Sequence, residues 1–351
     1  MSVTRRQFLV AGAGAVVAAG SGCGDVRALA TDARRWIGKP TAPPLTGPLT
    51  PPAGEQLDAV SHAINRLTFG ARPGDHARVA ALGVPAFIEE QLAPQRIEDW
   101  RCERVIRHEF ESLADPEGRL FPRKGDAKDP LQQIFPAMKD RGARVSHLYD
   151  YKDKVLLADL TRATVLRAVL SERQLFEVMV HFWSDHFNID PSKAEAKWLK
   201  PADDRDVIRA HALGNFRDLL RASAVSPAML RYLDGRVNRV TRSGEKPNEN
   251  YARELLELHT LGVDNGYTQQ DVIEVSKCLT GWTMGKLFPW MFEFDPDMHV
   301  KGPKTVLGQT IEAGAGDSSS DDGEKVLAIL KKHPNTAQYL SKKLVRFYVN
   351  D

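Results

Sequence analysis

From about Gln56 to its last residue the chain is punctuated as a succession of short helices, opened by capping side chains and closed by glycine. Leu57, Val60, Ile64 and Leu67 share one helical face before Gly70, and helices over 75–82 and 85–92 flank Gly83. Residues 153–170 form a long amphipathic run. Ser171, with Gln174 three residues on, has the layout of a capping box for a helix to about Phe187. Ser226 precedes a proline at the first helical position, and Gly235 closes that turn. Asn248 opens a helix ending at Gly262, Thr268 one ending at Gly281, and two last helices cover 324–332 and 336–349. Only 290–294 and 305–311 alternate like strands; they are expected to pair as one hairpin around the 296–303 loop. Residues 115–128 and 317–323 read as polar loops. The expected fold is mainly α, a multi-helix globular domain with a small β-hairpin appendage.

What precedes this domain reads as an address. Arg5-Arg6-Gln7-Phe8-Leu9 leads an apolar run from Val10 to Ala19, and no acidic residue comes before Asp25. With the small-residue exit Ala28-Leu29-Ala30, residues 1–30 have the layout of a secretory signal, and the paired arginines resemble the twin-arginine type. The apolar run is shorter than the roughly 20 residues a spanning helix needs. The expected destination is the periplasm or cell envelope. Gly20-Ser21-Gly22-Cys23 also resembles a lipoprotein cleavage site, although Gly20 stands where a branched aliphatic residue is usual. Acylation of Cys23 would anchor the protein to a membrane; cleavage after Ala30 would release it. Six of the thirteen residues from Pro40 to Pro52 are proline, so 31–55 reads as a semi-rigid linker.

Charge excludes some partners. Loss of residues 1–30 removes Arg5, Arg6, Arg27 and Asp25, leaving 45 basic and 45 acidic side chains. That balance gives no nucleic-acid footprint and no polybasic membrane patch. Cys102 and Cys278 lie far apart and outside any metal spacing, so they read as two buried small hydrophobes more readily than as a bridge. The chain has no phosphate-cradling glycine loop, nucleophile elbow or HExxH motif.

Two stretches are dense in chemistry-bearing side chains. In residues 181–188, His181 and Asp185 share a helix face while His186 points about 140° away. A buried Asp–His pair among these aromatics would fix an imidazole tautomer, as second shells do at metal sites; the plainer reading is a core of Phe182, Trp183 and Phe187 with satisfied histidines. In residues 248–262, Glu249, Asn250, Arg253, Glu254, Glu257 and Thr260 fill one arc, with Tyr251, Ala252, Leu255, Leu256 and Leu258 opposite. Leu261 is the one apolar residue inside the polar arc. This describes a solvated amphipathic face with a Glu249–Arg253–Glu257 ladder. Its alternative is a cleft into which Glu254, Glu257 and the Asn250 amide point, to hold a divalent cation or to act as acid and base. His299, beside Asp295 and Asp297, adds a weaker metal-ligand candidate.

Several segments in order resemble one family. They are His62-Ala-Ile-Asn-Arg-Leu-Thr-Phe-Gly70, Phe182-Trp-Ser-Asp-His-Phe187, Ser226-Pro-Ala-Met-Leu-Arg-Tyr-Leu-Asp234, the 248–262 run with Tyr267-Thr-Gln-Gln-Asp271, and Leu279-Thr-Gly-Trp-Thr283. Together they resemble the bacterial domain of unknown function 1800, over about Gln56 to Asp351. The resemblance implies an exported, mostly helical protein, often encoded beside an exported protein of the alkaline-phosphatase/sulfatase-like type. It places Glu249, Asn250, Arg253, Glu254, Glu257 and His186 in the family signature and brings no established reaction. Val300 follows His299 where the family usually has Asp, and Asp185 stands where Asn is common. Family members extend beyond Asp351, so a C-terminal truncation is expected.

Two function classes follow. One is a non-catalytic envelope protein that binds or organises a partner, the sulfatase-like neighbour being the candidate. The other is a metal-dependent or acid/base enzyme, hydrolase-like, with His186, Arg253, Glu254 and Glu257 as catalytic candidates and His181, Asp185, His186, Glu254, Glu257 and His299 as ligands to a divalent metal.

Overall fold

The computed structural model describes residues 58–114, 152–193, 196–240, 246–286, 288, 290–312 and 321–349. The expected signal segment with Cys23, the linker, the 115–128 loop and the chain end lie outside them. Among the described residues no helix is long and apolar enough to cross a membrane.

The architecture is mainly α with two small β ribbons, and it divides into two compact units between Glu90 and Gln91. In the first, α1 (Ala59–Leu67) starts where the Asp58 carboxylate accepts the N–H groups of Val60 and Ser61, both at 2.9 Å. Helices α2 (Asp75–Leu82) and α3 (Val84–Gln91) follow, and Ile64, Val79 and Phe87 form the buried centre.

In the second unit, α4 (Trp100–Glu109) packs on α5 (Lys152–Leu170) through Cys102, Ile106, Phe110 and Ala163. Cys102 and Cys278 are free and buried, and burial pushes each thiol up to about 12. Helix α6 (Gln174–His186) begins without the expected capping box. The Ser171 hydroxyl donates to Asp99 at 2.7 Å, and the Gln174 amide donates to the Ser171 carbonyl at 2.7 Å instead of accepting the Ser171 N–H. The Ser171 hydroxyl still accepts the Arg173 N–H at 3.1 Å, but the Ser171 N–H is spent on the Arg167 carbonyl at 2.9 Å, so Gln174 has no donor to reach back to.

Helix α7 (Ala196–Asp203) carries Pro201 and widens directly into a π-helical segment, Asp204–Arg209. Helices α8 (Phe216–Ala224) and α9 (Pro227–Tyr232) complete this layer, α9 packing on α7. Helix α10 (Asn250–Glu257) stops short of Gly262. Its exit turn uses bonds five residues apart, His259 N–H to Glu254 at 3.1 Å and Leu261 N–H to Leu256 at 2.8 Å. This wider turn rotates the last residues. Leu261 is therefore buried although an ideal wheel puts it on the polar arc, and Leu258 from the apolar side is 45% exposed.

Helix α11 (Gln269–Cys278) opens with a true capping box between Thr268 and Asp271. The strands then depart from expectation. Strand β1 (Trp282–Met284) pairs with β2 (Phe292–Phe294), Trp282 opposite Phe294, while β3 (Lys304–Val306) pairs with β4 (Gln309–Ile311), Lys304 opposite Ile311. Residues 305–311 are thus a hairpin in themselves. Leu307 and Gly308 both take positive φ, 48° and 73°, the two-residue turn that matches strand twist. The Asp271 carboxylate, accepting the Leu307 N–H at 2.7 Å, holds that turn in place. Helix α12 (Asp321–Lys332) takes in the last three residues of the expected 317–323 loop, and α13 (Pro334–Tyr348) follows it. Trp282, Tyr251, Phe187, Leu255 and Leu256 lie at the centre of one large core, each burial contributing about 1.5–3 kcal/mol.

Candidate functional site

The motif residues settle into separate polar centres. His186 ends α6 and is buried among Phe182, Trp183, Phe187 and Phe216. Its Nε2 lies 3.1 Å from the His259 carbonyl oxygen, which can only accept, so the ring proton sits there. Nδ1 then accepts from Lys343 on α13 at 2.9 Å. Burial, then the Lys343 charge, holds His186 well below the usual histidine range; the same causes bring His259 down to about 3. Burial also lowers Lys343, with Asp185 pulling the other way. His181 and Asp185 stand on the exposed face of α6. The tautomer is therefore fixed by a backbone carbonyl and a lysine, and the expected buried Asp185–imidazole pair is corrected: the helix pitch turns the carboxylate outward.

On α10 the charged arc is a ladder. Arg253 reaches Glu249 at 3.1 Å and Glu257 at 3.4 Å, and Gln269 on α11 donates to Glu249 at 2.6 Å. The Asn250 amide donates to the Leu233 carbonyl at 3.1 Å, so it ties α10 to the preceding segment and does not enter a cleft with the carboxylates. Glu254 is half-buried, and its carboxyl is raised by burial and then by the neighbouring Glu257 charge.

His299 is buried, not solvated, and Asp295 and Asp297 are not its partners. Asp295 accepts the Asp297 N–H at 3.1 Å and pairs with Lys286 at 3.4 Å. His299 Nδ1 donates to the Thr280 carbonyl at 2.7 Å, and Nε2 faces Lys304 Nζ at 3.3 Å and Asp322 Oδ2 at 3.4 Å. Lys304 donates to Asp322 at 2.6 Å and to the Val300 carbonyl at 2.5 Å. This buried His299–Lys304–Asp322 group draws on the 295–303 loop, β3 and the first turn of α12. Sequence reasoning missed Lys304 and Asp322. The signal for Lys304 was the strand period, which puts it on the same face as Val306.

A fourth centre was also missed, along the π segment. Arg209 grips Glu177 with two bonds of 2.8 and 2.6 Å, Lys200 meets Asp203 at 3.2 Å, and Ser226 donates to Asp203 at 2.7 Å. Asp204 is buried beside them, and burial raises its carboxyl. A mid-helix π segment carrying buried charge is the kind of insertion found at functional sites, and its only sequence mark is Pro201.

Among the described residues no group of three or more His, Cys, Asp and Glu side chains is placed to hold a metal ion. The set His181, Asp185, His186, Glu254, Glu257 and His299 is divided between an exposed helix face, an aromatic core, a surface ladder and the Lys304–Asp322 group. Both nitrogens of His186 are engaged, by a carbonyl and an ammonium.

No curated protein and no solved structure matches the chain. One family model does, over residues 62–351, and its description is a protein of unknown function. With the ordered motifs and the mainly helical fold, the match over most of its length shows that the chain belongs to the DUF1800 family.

Proposed function

We propose that the protein works in the cell envelope after export and that its helical domain binds a partner protein, the exported sulfatase-like neighbour expected from the family resemblance. The observation that carries the reading is the tip joining β1 and β2. There Phe288 is 49% and Met291 55% exposed, beside the half-buried Trp290. Large apolar side chains exposed near one another on the surface are what interaction surfaces present. The paired charges of α10 support it too, since Arg253 ties Glu249 and Glu257 into a ladder. The export half rests on Arg5 and Arg6 and the apolar run behind them.

Crosslinking in intact cells, followed by purification of the full chain, tests the binding half. The sulfatase-like protein is expected in the crosslinked product, and its yield should fall at least about fivefold with F288S/M291S while the melting curve is kept. An unchanged yield removes the tip from the reading; absence of the partner with the unaltered chain removes the reading itself. Replacing both Arg5 and Arg6 by Lys should retain the protein in the cytoplasm, and whether Cys23 carries lipid is read from the mass of the exported form.

One observation favours a second reading, an acid/base or metal-dependent hydrolase-like enzyme. Glu254 has the raised carboxyl a general acid needs. Turnover of any envelope ester or glycan that disappears in E254Q would establish it.

A further inference from the structure

The segment 95–100 and the outer face of α4 border an open surface hollow of about 1120 Å³ that none of the motifs uses. Arg96, Arg104, Arg107 and Arg173 line it, with Trp100 and Glu103. Two of its three acids are already committed. Glu103 pairs with Arg173 at 2.8 Å, and the buried Asp99 accepts the Ser171 hydroxyl at 2.7 Å and the Glu172 N–H at 2.9 Å. Arg173 is fixed further by its bond to the Ile97 carbonyl at 3.1 Å. Glu98 is left facing three arginines, Arg96, Arg104 and Arg107, which have no ion pair among the described residues.

Arg104 and Arg107 stand one turn apart on α4, where like charges repel and weaken a helix. An oxyanion seated between the two would relieve that repulsion. Guanidinium forks match phosphate oxygens in pairs, which a lysine cluster would not do. At the rim Trp100 is 57% exposed, with the Arg101 guanidinium 5.4 Å from its ring centre. An indole plate beside an oxyanion pocket suits the apolar face of a sugar or polyol ring.

We infer that this hollow binds a phosphorylated sugar or polyol, its phosphate held by Arg104 and Arg107 with Arg96 alongside, and its ring laid against Trp100. The inference is independent of the partner-binding reading. The same chemistry is offered by a free sugar phosphate and by a glycerophosphate lipid headgroup.

The test titrates the full chain with glucose 6-phosphate, glucose, inorganic phosphate and phosphatidylglycerol vesicles at physiological salt, followed by calorimetry and tryptophan fluorescence. Glucose 6-phosphate is expected to saturate, glucose alone to give no signal, and R104Q/R107Q to weaken binding at least about tenfold. W100A should weaken glucose 6-phosphate while leaving inorganic phosphate within about twofold. Vesicle binding without free sugar-phosphate binding assigns the site to a lipid headgroup; the reverse assigns it to a soluble ligand. R96Q, which lies outside α4, carries the test if the double variant melts lower. Absence of saturation by either source up to about 10 mM phosphate, or arginine variants that bind within about twofold of the unaltered chain, overturns the inference.

Discussion

Replacing Lys304 by methionine keeps the length of the side chain and its apolar stem, and removes the ammonium. In the native chain Lys304 is 3% exposed and Asp322 4%. The ammonium holds Asp322, the Val300 carbonyl and the edge of His299 at once. K304M would leave the Asp322 carboxylate buried, with Lys325 at 3.7 Å as its remaining cation. Breaking a buried pair from one side costs about 3–5 kcal/mol, because the stranded charge has lost its counter-ion and cannot reach water. At about 2–4 °C per kcal/mol for a domain of this order, the melting temperature should fall by roughly 10 °C. K304M/D322L removes both charges and should recover most of the loss, since an apolar pair of similar volume is often no worse than a buried ion pair. The assay is urea unfolding followed by circular dichroism at neutral pH, for both variants and the parent. A K304M loss below about 1 kcal/mol, or a double variant no better than the single one, would refute the claim that this group is a closed, desolvated charge pair.

G323A should lower stability by about 1–3 kcal/mol, because a Cβ on α12 would sit 2.2 Å from Trp282 Cζ2; a shift in tryptophan fluorescence on the same melts would report the displaced indole. Acid should weaken the fold through His186 and His259. Their folded pKa values lie below the unfolded one, so their contribution is intact above about 6.5 and is lost as pH falls, for His259 toward about 3. The loss approaches about 1.4 kcal/mol per pH unit for each imidazole, and H259Q should roughly halve the slope of urea midpoint against pH between 7 and 5. A slope unaltered by H259Q would contradict this account. Cys102 and Cys278 should resist a thiol reagent in the native protein, with both thiols reacting on unfolding; rapid native labelling of either would show that its burial is not maintained.

Much of the helical framework was legible in the sequence, since caps and glycine stops act over three or four residues. Thr268 caps its helix, and the helices expected over 75–82 and 153–170 stand at 75–82 and 152–170. Local rules failed where a remote group intervened. The 305–311 segment folded back on itself, its Leu307 turn anchored by Asp271, 36 residues away. The charged ladder of α10 was equally readable, because its partners lie four residues apart.

The polar centres were not. His186 meets Lys343 across 157 residues of sequence, and Lys304 meets Asp322 across 18. Nothing in the spacing of either pair marks them as partners. What the amino-acid order determined alone was helical content and the α10 ladder, because these depend on side chains one or two turns apart, and family membership, through motifs in a fixed order. Which charges lose their water, and which partner each then takes, was decided only when distant helices closed over them, because desolvation belongs to the packed core and not to any single segment.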